Sequence, residues 1–422
     1  MKNCIFLFAL TLLFSPVPSA GALISGTPIS GALISGAPIS DTPSVNATNI
    51  ASAETTSWQA AASRAQEDQR IRNAVESVRE AVAPDSRVAV FDISWEIRGI
   101  QVLLSGEVDH PEARDRVVEA VREAGFSDVT VNIVVLPHPG LGQNTFGLVR
   151  VSVGNMRAEP RFSSELVTQV LMGTPLEVLK RQRGWFYVRS PDNYLGWMSS
   201  GLFERMNQQR LKEWNNADKV IMNHYHGMAY EEPTAQSLPV SNVSIGNRMM
   251  RTGQSGDWIA VALPDGRTGF IPSDMVEPYD SWKQSRELTG ENIARTAKQF
   301  IGIPYVWGGT SAKGFDCSGL TKTVFWLNGM DLSRDASQQI LMGEHVDPGE
   351  QFENLQTGDL LFFGRAASAN SPERIVHVGI YLGNREFIHA SYLVRINSLD
   401  PDARNFDRYE YNRFVRARRL IH

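Results

Sequence analysis

Residues 305–318 read YVWGGTSAKGFDCS, and the rest of the chain is organised around the cysteine near their end. The one other cysteine, Cys4, sits in an apolar leader that is expected to be removed. A single thiol can neither close an internal disulfide nor share a multi-cysteine metal site. It is either a small buried apolar residue or a nucleophile, and its flanks favour the nucleophile. Asp316 is a strong helix N-cap, and the SGLTKTVFWL behind Cys317 has helix-compatible periodicity, which places Cys317 in a first helical turn. Unpaired N–H groups and the positive end of the macrodipole stabilise thiolate there, so its pKa is expected to fall into roughly the 3.5–7.5 range.

A chain of 422 residues is too long for one core, and about three domains are expected. The composition, 42% hydrophobic and 21% charged with a net charge of -5, is that of a globular protein without the basic excess that nucleic acid would require. Residues 1–22 carry one Lys, an apolar run and a small-residue cleavage region, which is a secretory signal peptide too short to anchor the chain. The mature protein is therefore expected outside the cytoplasm, in the periplasm, envelope or medium, without a transmembrane anchor. Residues 23–57, with most of the tandem repeat GALISGTPIS/GALISGAPIS followed by a Ser/Thr/Ala stretch, read as a low-complexity spacer.

From residue 58 the pattern changes. The order helix, strand, strand, helix, strand is expected over 58–137, a small α+β domain, and PHPGLGQNTF (137–146) then punctuates the chain. An internal repeat follows: Glu159-Pro160, Gly173, Trp185, Val188, Gly196 and Ser200 recur 73 positions later (159 to 232) as Glu232-Pro233, Gly246, Trp258, Val261, Gly269 and Ser273. Short β-type runs split by Gly, Pro, Asn and Asp predict a small barrel in each copy, at 147–206 and 219–278. The same shift aligns His224 and His226 with Val151 and Val153, which argues against a metal site there.

The chemistry is expected in 288–422. RIVHVGIYL (374–382) and REFIHAS (385–391) predict a hairpin around Gly383-Asn384, with Val376, Val378 and Ile380 on the core face and His377 on the other, beside Gly379. An odd-length loop puts His377 and His389 on one face, and a two-residue loop puts them on opposite faces. A cysteine peptidase needs a nucleophile, a base within hydrogen-bond reach and a group that fixes the base's tautomer. Cys317, His377 and His389 fit these three roles in that order. The Cys317 backbone N–H and the Tyr305 hydroxyl are candidate oxyanion donors, with Trp307 in the same cleft-forming stretch.

In PYVWGG (304–309), FDCSG (315–319), SRDASQQ (333–339), GDLLFF (358–363), HVGIYLG (377–383) and FIHAS (387–391), the C-terminal third resembles the NlpC family of papain-like cysteine peptidases, which hydrolyse bacterial cell-wall peptides. The W-x-x-V and G-(W/F)-(M/I) elements of the repeat resemble bacterial SH3-like domains, and 58–137 resembles the BON domain of envelope proteins. The resemblance implies a Cys/His/His triad, no metal and no organic cofactor. It is narrower to members with amino-terminal barrels, the γ-D-glutamyl-L-diamino-acid endopeptidases, whose substrates are peptidoglycan stem peptides or muropeptides with a free N-terminal L-alanine. That likeness implies that Asp316 and Ser318, with Glu159 and Tyr194 from the first barrel, hold the substrate ammonium. It also implies that Arg334 and Asp335 form a cleft wall, Arg334 meeting the D-glutamate carboxylate. A monomer is expected. Two other readings use the same residues: an amidase or acyltransferase on the papain-like scaffold, and a wall-binding protein with an inactive catalytic domain.

Overall fold

The computed structural model describes residues 47–421, so the leader and the first part of the expected spacer lie outside the described residues. Helix α1 spans Ala47–Val82 and so begins inside the stretch read as spacer. The Ala and Glu residues that enter from position 51 carry enough helix propensity to outweigh the Ser and Thr among them. Strands β1 (Phe91–Arg98) and β2 (Gln101–Val108) pair antiparallel, and after helix α2 (Pro111–Glu123) strand β3 (Asp128–Val135) joins β2 in parallel. A parallel neighbour needs a crossover, which α2 supplies. Its Val117 and Val121 bury with Ile71 and Val75 of α1 against Val102 and Leu104.

Two seven-stranded sheets follow. Their strands begin at Phe146, Val153, Leu166, Pro175, Trp185, Leu195 and Phe203, and at Lys219, His226, Pro239, Arg248, Trp258, Thr268 and Val276, each shifted by 73 positions (146 to 219, 203 to 276). Counted within each copy, the spatial order is seventh, first, fourth, fifth, sixth, second, third in both. The repeated Gly173 and Gly246 have φ of 80° and 84°. A Cβ on Gly173 would lie 2.5 Å from the Arg248 carbonyl oxygen, and one on Gly246 2.8 Å from the Leu171 and Trp326 side chains. The two copies of one glycine thus mark where the barrels approach each other and the C-terminal domain.

The C-terminal domain comprises α3 (Gly290–Gln299), α4 (Cys317–Leu327), α5 (Ala336–Gln339), β4 (Leu360–Arg365), β5 (Arg374–Gly383), β6 (Glu386–Ser391), β7 (Leu393–Ser398), α6 (Arg408–Tyr411) and β8 (Phe414–Arg419). Its antiparallel sheet runs in the order Glu344–Val346, β8, β4, β5, β6, β7. Leu320 and Val324 of α4 pack on Val378, Ile380 and Ile388. Leu361, Phe363, Tyr381 and Phe387 fill a second cluster. The first barrel docks beside α4: the Thr310 hydroxyl donates to the Gln169 carbonyl at 2.8 Å, and the Ser311 hydroxyl to Gln169 Oε1 at 2.8 Å.

Candidate active site

Asp316 starts α4 by accepting hydrogen bonds from the Gly319 N–H at 2.7 Å and the Gly308 N–H at 3.0 Å. Cys317, the first residue of the helix, is 8% exposed. Its pKa is not lowered. Burial pushes the thiol up to about 12, the adjacent Asp316 carboxylate adding to the effect, while the N–H groups of Val378 and Ser318 and the Arg334 guanidinium pull the other way without reversing it. The expectation of a resting thiolate is thus overturned by two local facts. The cap that starts the helix also sets an anion beside the sulfur, and the fold removes the water that would solvate a thiolate.

His377 and His389 meet: His377 Nε2 and His389 Nδ1 are 2.8 Å apart. The hairpin loop holds only Asn384 and Arg385, both at positive φ, a length expected to put the two rings on opposite faces. A bulge at Leu382, between the pairs Tyr381↔Phe387 and Gly383↔Glu386, supplies the extra residue and restores a common face. A second bulge at Val376, opposite Phe363 and Gly364, turns that side chain out. Val376, expected on the core face, is 46% exposed.

The hydrogen bonds fix the tautomers. Asn397 Nδ2 donates to the Asn405 carbonyl at 3.1 Å, so its Oδ1 faces His389 and accepts from Nε2–H at 3.0 Å. His389 Nδ1 is then unprotonated and accepts from His377 Nε2–H. The remaining nitrogen of His377, Nδ1, carries a lone pair. Burial holds His377 well below the usual imidazole range, with His389 and then Arg413 and Arg395 adding to it. Burial lowers His389 to about 4, opposed by its bond to Asn397. Both rings rest neutral. Asn397 carries no signal in the sequence that would have marked it.

Cys317 opens into a cavity of about 470 Å³, walled by Glu165, Val167 and Tyr194 of the first barrel and by Arg87, Trp307 and Asp335. Tyr305 and Val376 line this cavity and also a second one of about 770 Å³ that contains His377. Burial raises the Tyr305 hydroxyl well above its usual range, with Cys317 and Asp316 adding to the effect, so it stays a donor.

Five expected substrate contacts are each already engaged by another side chain. Glu159 does not line the cavity; it is exposed and paired with Arg161 at 2.8 Å, and the barrel acid at the cleft is Glu165, which accepts from Trp307 Nε1 at 2.7 Å. Arg334 is 1% exposed and committed to Asp316, to Ser318 Oγ at 3.0 Å and to Thr168 Oγ1 at 3.0 Å, so it is a buried brace rather than a free guanidinium. Asp316 and Ser318 reach the cavity already joined to it. Tyr194 is buried and donates its hydroxyl to Asp335 at 2.9 Å. Sequence reasoning missed Arg87, which reaches Asp335 at 2.8 Å from the segment between α1 and β1, a contact no local pattern announces.

Among the described residues, His377, His389 and Glu410 form the one set of three metal-ligating side chains whose donor atoms lie within 4.8 Å of one another. The imidazole nitrogens are already hydrogen-bonded to each other, and Glu410 is paired with Arg413 at 2.9 Å. A cation there would occupy both rings of the relay.

Residues 302–417 match the NlpC/P60 family, and residues 152–204 match the bacterial SH3 domain. Dipeptidyl-peptidase 6 of Lysinibacillus sphaericus is 30% identical over 264 residues, 60% of this chain and 91% of that protein. A gamma-D-glutamyl-L-lysine dipeptidyl-peptidase of Bacillus cereus is 28% identical over 57% of this chain and 71% of that protein. The crystal structure of an NlpC/P60 family protein from Bacillus cereus shares the fold with a TM-score of 0.56 at 24% identity, covering 66% of this chain and 100% of that one. The chain belongs to the NlpC/P60 family and is a cysteine peptidase carrying a bacterial SH3 domain beside its catalytic domain.

Proposed function

We propose that the protein hydrolyses the bond between D-glutamate and a diamino acid in peptidoglycan stem peptides whose N-terminal L-alanine is free. The observation that carries this reading is the cavity in front of Cys317. At about 470 Å³ it lies within the roughly 300–1,000 Å³ of small-ligand sites. Its wall is built by the first barrel and brings the acids Glu165 and Asp335 and the cation Arg87 to one space. A dipeptide with a free ammonium matches those acids, and Arg87, held by Asp85 and by Asp335 at 2.8 Å, fixes the place of Asp335 among them. The names of the relatives, dipeptidyl-peptidases among them, agree with release of such a dipeptide.

In the reaction the Cys317 sulfur attacks the γ-carbonyl of D-glutamate as its proton passes to His377 Nδ1. The oxyanion is received by the Cys317 N–H and the Tyr305 hydroxyl. The C–N bond breaks, the departing amine takes the proton from His377, and water activated by the same nitrogen hydrolyses the thioester. The apolar leader at 1–22 fits export, and the N-terminal α-β-β-α-β unit fits an envelope-binding role.

Mass spectrometry of products from L-Ala-γ-D-Glu-diamino acid, with the alanine amine free or blocked by acetyl or by the stem's sugar, tests the reading. Cleavage after D-glutamate of the free-amine peptide alone is expected. Equal turnover of the blocked peptides would remove the role given to the barrel wall, and no cleavage of any would remove the peptidase reading of the substrate.

A further inference from the structure

The second cavity is lined by His377, Tyr305 and Val376 on the catalytic side and by Arg395, Asp407, Glu410 and Arg413 on the other. In peptide hydrolysis the base that takes the nucleophile's proton also returns it to the amine, so the space that His377 opens into receives the leaving group. The charges there are layered. The carboxylates of Asp407 and Glu410 are 11% and 6% exposed, whereas their partners Arg395 and Arg413 are 39% and 23% exposed. The face turned to a ligand is therefore cationic.

The two arginines differ in how far they are committed. Arg413 donates to the Tyr409 hydroxyl at 2.6 Å and to both Glu410 oxygens. Arg395 makes no side-chain hydrogen bond among the described residues; Asp407 lies at 3.8 Å, and its guanidinium stands over the ring of the exposed Tyr392 at 5.8 Å. Its position is not loose. Arg395 is the strand partner of His389, so its backbone is tied to the relay that orients the base.

We propose that this cavity is the leaving-group subsite and that Arg395 reads a carboxylate on the departing diamino acid, at the end of its side chain or at its C-terminus. The proposal rests on the peptidase reading above and adds its selectivity. A departing residue that ends only in ammonium meets two guanidiniums, whereas one that ends in a carboxylate pairs with Arg395, whose own acid, Asp407, stands off at 3.8 Å.

The test compares four peptides, L-Ala-γ-D-Glu-X with X either meso-diaminopimelate or L-lysine, each with a free or amidated C-terminus. Steady-state kinetics are measured for the wild-type chain, Arg395→Gln and Arg395→Lys, with melting temperatures confirming that the variants fold. Arg395→Gln is expected to lower kcat/KM about tenfold, through KM, on peptides with the carboxylate it reads, and to hold or raise it on the amidated lysine peptide, which then meets one guanidinium fewer; Arg395→Lys should retain part of the preference. Comparing the amidated diaminopimelate peptide with the free-acid lysine peptide tells the side-chain carboxylate from the C-terminal one. An equal loss on all four peptides, or no loss on any, would overturn the proposal. Failure of the wild-type chain to cleave any of the four would instead defeat the underlying substrate reading, and this inference with it.

Discussion

Cys317 and His377 both rest uncharged: burial and Asp316 disfavour the thiolate, and burial with nearby Arg413 and Arg395 disfavours the imidazolium. Proton transfer then belongs to the attack itself. Iodoacetamide labelling of the folded chain at pH 7 should accordingly be slower than that of the urea-unfolded chain, and should rise about tenfold per pH unit up to pH 9, since only thiolate reacts. A rate that levels off below pH 8 would show a thiolate already formed. The histidines also set an acid limit to stability. His389 titrates near 6.5 when unfolded and at about 4 in the fold. Below 6.5 the unfolded chain takes up a proton that the native ring refuses, so stability falls as the pH drops from 6.5 through 4, by about 3 kcal/mol for this group. Urea midpoints measured across that window should decline, and His389→Asn should flatten the slope.

At the scale of elements, the docking of the first barrel depends on close backbone approach. Gly308 has φ of 78°, and a Cβ there would lie 2.2 Å from the Leu166 carbonyl oxygen. Gly308→Val is expected to cost on the order of 1–3 kcal/mol and to expose the barrel to limited proteolysis, whereas Gly201→Ala, with nothing within 4 Å of the new Cβ, should be neutral to about 0.5 kcal/mol. Much of the architecture was legible because it is periodic: the shift of 73 positions that aligns Trp185 with Trp258 also aligns every strand start of the two barrels. The hairpin shows where periodicity stops informing. Strand alternation assigns Val376 to the core and makes the loop length decide where the histidines point, yet bulges at Val376 and Leu382 reset both. A bulge is one inserted residue chosen by tertiary packing, and it leaves no local mark.

Across the whole molecule the cleft is assembled from three regions: the segment before β1 supplies Arg87, the first barrel Glu165 and Tyr194, and the C-terminal domain Cys317 and Tyr305. Long-range placement of this kind is why Glu165 was missed in favour of Glu159, six positions away on the same barrel. Arg87→Met should raise KM about tenfold with kcat held within twofold in steady-state kinetics on the free-amine tripeptide; a fall in kcat at constant KM would count against its place in binding. The solitary sulfur has one more consequence. Cys317 is the only free cysteine among the described residues, so a sulfenic acid formed on it by peroxide would have no neighbouring thiol to trap it short of irreversible over-oxidation. Peroxide attacks the anion, so holding the sulfur protonated between turnovers shields the chain from that loss.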